Sequence, residues 1–314
     1  MSKNKKLPLL VLLGPTASGK TDLAMALSDV LPLSLISVDS ALIYNDMNIG
    51  TGKPSPELLA KYPHALINLR NPDEHFSVAD FVTEAKLSIA AAHQAGKIPC
   101  LVGGTMMYYK ALLFGLSDLP ATNPELRAQL QQTALEQGLP ALHTRLQSVD
   151  PKSAARIHMN DTQRTLRALE VFESTGIPLS DHFSGTHGIS EEHEMICIGL
   201  TCDDRTLLHQ RIADRFDHML AQGLIEEVRA LRERYTLSSD LPAMRSVGYR
   251  QAWAYLDGHI NHESLRETGI AATRQLAKRQ FTWLKTWPNL HHLPMYAHDL
   301  SQKAQLLLSD WPKK

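Results

Sequence analysis

An apolar run, LPLLVLL (7–13), passes without a break into GPTASGKT (14–21), and this junction constrains the fold more than anything else in the chain. The octet fits G-x-x-x-x-G-K-[ST]. In that pattern glycines let successive backbone N–H groups wrap an anion, the lysine adds a point charge, and the last hydroxyl serves a divalent cation. Such a loop belongs between a buried strand and a helix N-terminus, where the helix dipole also favours negative charge. Gly14, Pro15, Thr16, Ala17, Ser18, Gly19, Lys20 and Thr21 are therefore the expected phosphate- or nucleotide-binding segment, with Thr21 the candidate Mg²⁺ ligand. What happens to the phosphates stays open at this point. A kinase passes one on, an NTPase hydrolyses one off, and a third kind of enzyme expels a whole diphosphate.

The strand–helix alternation continues downstream. Leu23, Leu27 and Val30 carry helical spacing, LSLISV (33–38) reads as a second buried strand ending at Asp39, and HALINL (64–69) as a third. A helix is expected from about 78 to 95, a fourth strand at GKIPCLVGG (96–104), and another helix from TMMYYKALLFGL. This order implies a parallel sheet with crossover connections, whose ligands bind at the carboxyl ends of the strands. Gly14–Thr21, Asp39–Ser40 and Gly103–Thr105 then share one rim. From about 120 to 191 the pattern is helical only: Asn123, Pro124 and Gly138 bound one helix, and Asn160 or Asp161 with Gly176 bound another. Residues 120–191 thus read as an insertion into a core made of 1–119 and 192–314. EMICIGLT (194–201) resumes that core, and two helices follow on either side of Gly223. The residues after Trp287 are nondescript, and the His291–His292 pair in NLHHLP reads as structural. The expected fold is α/β, a P-loop NTPase-like parallel sheet flanked by helices with an all-helical insertion.

A chain of 314 residues with 43% hydrophobic and 21% charged content can bury a full core. Its basic start and apolar run resemble a secretory signal, but the run is short, lacks a small-residue cleavage site and flows into the phosphate loop. No apolar segment is long enough to cross a membrane. Three cysteines without a C-x-x-C pair point to a reduced, cytoplasmic protein with no zinc site. The net charge of −1 neither supports nor excludes nucleic acid, because an RNA footprint needs only a local basic surface.

Several residues on and near the rim could carry chemistry. Asp39 could ligate magnesium, act as a general base, or cap a turn; Thr105 could bond a base or cap the helix after it. No aspartate ends the strand at Gly103, which counts against a Walker-B motor ATPase but not against a small-molecule kinase. Arg211 and Arg215, four apart, could clamp a diphosphate or pair with Asp214, Asp217 or neighbouring glutamates. Basic residues gather late in TRQLAKRQFTWLKTW (273–287), in MRSVGYRQAW (244–253) and in QRTLR (163–167), which together suit phosphates and stacked bases.

Across six segments in order the chain resembles the bacterial tRNA dimethylallyltransferases, also called tRNA isopentenyltransferases. The segments are GPTASGKT, ISVDSALIYNDMNIGTGKP, LVGGTMMYYKALL, RIADRFDHMLAQGLIEEV, RSVGYRQAW and TRQLAKRQFTWL. The resemblance implies transfer of a dimethylallyl group from dimethylallyl diphosphate to N6 of the adenosine just 3′ of the anticodon. Mg²⁺ would be the cofactor, the tRNA anticodon stem-loop the partner, and a cytoplasmic monomer the working form. It implies a catalytic set of Asp39, Lys20, Thr105, Arg215 and Arg211, in which Asp39 accepts the N6 proton. The RNA-facing set it implies begins with Asp39, Ser40, Ala41, Leu42 and Thr105. In the insertion it adds Arg127, Gln163, Arg164, Thr165, Leu166 and Arg167. Later in the chain come Arg245, Ser246, Val247, Gly248, Tyr249 and Arg250, then Lys278, Arg279, Gln280, Phe281, Thr282, Trp283, Leu284 and Lys285. Many members have glutamine where this chain has Leu42, which counts against a base-holding role for that side chain. Many also have alanine at Gly52, a mild change in a loop that tolerates small residues.

Overall fold

The computed structural model describes residues 6–116, 119–183 and 187–311. The opening apolar run is strand β1 (Leu7–Leu13). After it come β2 (Leu33–Val38), β3 (His64–Ala65), β4 (Ile98–Gly103), β5 (His193–Thr201) and β6 (Leu290–Pro294). They form one sheet in the order β3–β2–β4–β1–β5–β6, with every pairing parallel. A parallel sheet covered on both faces needs continuous apolar runs. Leu9 to Leu13 and all of β4 are accordingly buried. The register aligns the strand ends: Gly103 sits opposite Leu13 on one side and Val38 on the other. The segments leaving β1, β2 and β4 therefore emerge side by side.

Helices α1 (Lys20–Ser28), α2 (Pro56–Lys61), α3 (Val78–Gln94) and α4 (Met106–Phe114) follow the first strands. Helix α3 starts at a capping box in which Ser77 and Asp80 satisfy each other's backbone N–H. The buried Tyr109 of α4 donates its hydroxyl to Leu12 O at 2.9 Å, a polar tie from helix to sheet. The described residues up to 113 and from 189 onward form one compact unit, and those between 114 and 188 a second. The second unit holds α5 (Pro124–Gln137), α6 (Leu139–Val149), α7 (Pro151–Arg156) and α8 (Thr162–Thr175) around Leu130, Leu142, Leu146, Leu166 and Leu169. Asn123 caps α5, and Asp161 rather than Asn160 caps α8, each accepting backbone N–H groups. In the first unit α9 (Arg205–Ala221), α10 (Leu224–Arg234), α11 (Tyr249–Leu256), α12 (His262–Lys285) and α13 (Leu300–Leu308) complete the chain. No described helix is long and apolar enough to cross a membrane.

One expectation is corrected, and one nondescript stretch takes on structure. The run HALINL yields only two paired residues, because Leu66 and Asn68 adopt left-handed backbone with φ of 65° and 57°. That turn lets Leu69 and Arg70 donate to Ile43 O instead of extending the strand. The stretch after Trp287 holds an edge strand and a helix. In β6 both histidines are exposed and only Leu293 is buried, so the signal is too short and too polar to read as a strand. In α13 only Ala304 and Leu308 are buried.

Candidate active site on the sheet rim

The phosphate loop alternates hands along its backbone: Ala17 and Gly19 have φ of 61° and 79°. A non-glycine residue held there stores strain of the kind found at binding sites, and the alternation turns successive amides inward. Gly19 begins α1 without any capping side chain, so the helix's first amides keep their anion-binding character. Lys20 Nζ donates to Pro15 O at 3.2 Å. Its ammonium is enclosed, and burial lowers its pKa to about 8 against the pull of the Asp39 carboxylate, with Arg215 adding to the fall. The buried Ser18 Oγ has no hydrogen-bond partner among the described residues.

Asp39, at the end of β2, caps a turn and lines a cavity beside the loop. Its Oδ1 accepts the Ala41 N–H at 2.9 Å. Thr105 Oγ1 accepts the Ser40 N–H at 3.0 Å, and Thr105 N–H donates to Val38 O at 3.1 Å, so the β4 end clamps the β2 end. Gly103 has no alternative, since a Cβ there would lie 2.0 Å from Val38 O. The cavity, of about 170 Å³, takes Thr16, Lys20, Thr21, Asp39 and Arg215 as polar walls, and Leu42, Ile212, Phe216, Met219 and Val247 as apolar ones. A second, more open cavity of about 650 Å³ shares Lys20, Thr21, Gly52 and Arg215 and adds Lys53 and Arg211.

The two arginines of α9 both reach this site. Arg215 donates to Thr51 O at 3.3 Å, and Arg211 lies 4.5 Å over the Tyr296 ring. The neighbouring acids are engaged elsewhere, Asp214 by Gln210 and Asp217 by Arg266. Tyr296 belongs to the C-terminal stretch that is nondescript in sequence. Lys53 Nζ donates to Tyr44 O at 2.8 Å, and burial lowers its pKa to about 8 despite Glu227 and Asp46.

The expected RNA-facing residues divide sharply. Ser40, Gln163, Arg164, Arg245, Arg250, Lys278, Arg279, Thr282 and Lys285 are exposed, while Ala41, Leu42, Ser246, Val247, Phe281 and Trp283 are partly so. Five side chains are buried: Thr165 and Leu166 in the core of α8, Tyr249, Leu284, and Gln280, which still lines the cavity. Gly248 is buried too, with a φ of 93°. Gln280 also serves the phosphate loop. Its Oε1 accepts the Thr16 N–H and its Nε2 donates to Gly104 O, both at 2.9 Å. Arg127 and Arg167 are tied to the buried Glu170 at 3.5 and 3.3 Å, so part of their charge stabilises the helical unit. One residue outside the expected set stands out. Glu227 of α10 accepts the amides of Asn48, Ile49 and Gly50. Its signal was its place: Leu224, Glu227, Val228 and Leu231 share one helical stripe, and the other three are buried.

A rim of this construction has counterparts among known proteins. A family model described as IPP transferase matches residues 42–287. A tRNA dimethylallyltransferase of Thiobacillus denitrificans is 50% identical over 302 residues, 96% of each chain. Among solved structures, a tRNA isopentenylpyrophosphate transferase of Bacillus halodurans has a TM-score of 0.70 at 34% identity, covering 97% of this chain and 96% of its own. A eukaryotic dimethylallyltransferase solved acting on tRNA has a TM-score of 0.81 at 26% identity, with 97% of this chain and 79% of that one covered. With most of its length matched by the family model and half of its residues shared with a whole-chain relative, the chain belongs to the IPP transferase family.

Proposed function

We propose that the chain transfers the dimethylallyl group of dimethylallyl diphosphate to N6 of the adenosine just 3′ of the anticodon in tRNA, releasing diphosphate. One observation carries this reading: a phosphate loop and the Asp39 carboxylate line a single small cavity together with the apolar side chains of Leu42, Ile212, Phe216, Met219 and Val247. The allylic C–O bond breaks with its electron pair leaving on the diphosphate oxygen. Charge growing there meets the loop amides, Lys20, Arg215 and Arg211, all in place before the reaction. The Thr21 hydroxyl, a hard oxygen donor at the start of α1 that lines both cavities, fits Mg²⁺, which is typically held by one or two protein oxygens plus phosphates. When bound, the cation adds positive charge to the leaving group. The N6 lone pair forms the new C–N bond, and the N6 proton passes to Asp39, whose Oδ1 is tethered by Ala41 so that Oδ2 is left to receive it. Apolar walls keep water from the allylic cation. Extruding the adenine costs a few kcal/mol, less in a loop than in a duplex. The exposed basic residues of α12 and of 114–188 hold the anticodon arm, and the enzyme acts as a cytoplasmic monomer.

The test offers the full chain an anticodon stem-loop with dimethylallyl diphosphate or with ATP, and weighs the nucleosides by mass spectrometry. Alkylated adenosine only with the prenyl donor is the expected result; its absence ends the reading. Asp39→Ala lowers turnover by about 10²–10⁴-fold while RNA affinity holds.

A further inference from the structure

Loop 47–53 forms a wall of both cavities through Gly50, Thr51, Gly52 and Lys53. It closes on itself through Gly52 N–H to Ile49 O and Lys53 N–H to Asn48 O. Its anchor, however, comes from α10. Glu227 Oε2 accepts the N–H groups of Asn48 at 2.9 Å and Ile49 at 2.7 Å, and Oε1 accepts that of Gly50 at 3.2 Å. Three consecutive amides converging on one anion make a nest, here filled by the protein's own carboxylate. Tyr249 donates its hydroxyl to the same Oε1. Burial, then the Glu227 charge, raises the Tyr249 pKa and keeps that hydroxyl a donor. The Tyr249 ring also lies where a Cβ on residue 50 would be, at 2.5 Å, so Gly50 is the shape that lets loop and ring meet. The next carbonyl along, Thr51 O, is the one that takes the Arg215 guanidinium. Neither Glu227 nor Tyr249 is among the residues lining either cavity.

We infer that Glu227 and Tyr249 are positioning residues for Arg215: the carboxylate fixes loop 48–52, and the Thr51 carbonyl of that loop holds the guanidinium toward the diphosphate. The inference rests on the diphosphate part of the functional reading, not on prenyl transfer. A merely structural tie and a positioning role differ in one respect: only the second requires the effect of Glu227 to pass through Arg215.

The experiment is a double-mutant cycle on the full chain, read as affinity for inorganic pyrophosphate with Mg²⁺ by calorimetry. Glu227→Gln keeps the side-chain shape but turns an N–H donor against a backbone amide. It is expected to weaken pyrophosphate about tenfold, and Arg215→Ala about a hundredfold, with the double variant no weaker than Arg215→Ala alone. Tyr249→Phe keeps the ring on Gly50 and removes one bond, so it should weaken binding about threefold, an effect that also vanishes without Arg215. If Glu227→Gln does not fold, the Tyr249 cycle decides alone. Additive losses, or a lower Tm with unchanged pyrophosphate affinity, overturn the inference. A wild-type chain that binds no pyrophosphate overturns the diphosphate reading and this inference with it.

Discussion

Two loops wall the same site and are built on opposite plans. Loop 14–21 is shaped mainly by its own residues: left-handed backbone at Ala17 and Gly19, the Lys20 ammonium on Pro15 O, and the start of α1. Loop 47–53 is shaped by a carboxylate 177 to 179 residues away, which binds three of its amides. A locally determined loop carries its own signature in sequence, whereas one held from a distance looks like ordinary polar chain. The two plans also predict different responses to damage. The first loop should fail through its charge, the second through the loss of distant partners.

Among variants of the two loops, the largest effect belongs to Lys20. Replacing it with methionine removes the point charge from a water-poor site and should lower pyrophosphate affinity by about 10²-fold. The wild type should also show a pH signature. The Lys20 pKa is lowered to about 8 in the unliganded chain, and a bound anion favours the charged form, so binding takes up a proton above that pH. Affinity should therefore be level below about pH 8 and fall as pH rises beyond it. Lys53, also near 8, lines the second cavity and contributes to the same fall. Subtracting the Lys20→Met profile cancels both the ligand's titration and that of Lys53. A difference profile flat from neutral to alkaline pH would remove Lys20 from the role.

What could be read from sequence follows the same division. Strand β1, the loop and α1 are contiguous and periodic, and Asn123, Pro124 and Gly138 bound α5 by local backbone chemistry. Strand β3 was over-read because left-handed Leu66 and Asn68 give no compositional warning. The resemblance places Gln280 and Tyr249 in the RNA-facing set, and the fold buries both. For Gln280 the clue is polarity on an apolar stripe. Gln280 falls between buried Ala277 and Leu284, as Glu227 falls between Leu224 and Val228. A polar group on such a stripe needs a partner, and the partner lies wherever the fold brings it.

Gln280→Leu tests whether the phosphate loop is as self-sufficient as its motif suggests, since this amide is its long-range tie. The variant leaves Thr16 N–H and Gly104 O without their acceptor and donor, at about 1–3 kcal/mol for each group left buried and unpaired. Urea unfolding should register that loss, and pyrophosphate affinity should fall about tenfold, less than with Lys20→Met. Unchanged stability would mean that water replaces the amide and that the loop stands alone.

The smallest effect is expected at Gly52, and it sharpens the contrast most. From sequence alone, alanine at this position is a mild change in a loop that tolerates small residues. Here φ is +63°, which costs an L-residue about 1–2 kcal/mol. A Cβ would also lie 2.0 Å from the outer guanidinium nitrogen of Arg215. Something must move, and the two candidates differ in stiffness. The end of an arginine swings aside easily, whereas a loop pinned by three amides on Glu227 does not. Gly52→Ala should therefore displace Arg215 rather than the loop, weakening pyrophosphate by about threefold and costing about 1 kcal/mol in unfolding. Combined with Arg215→Ala, the affinity loss should disappear while the stability loss remains, because the backbone strain has nothing to do with the guanidinium. If the affinity loss persists in that double variant, the loop itself has yielded, and the distant carboxylate holds it more weakly than its geometry implies.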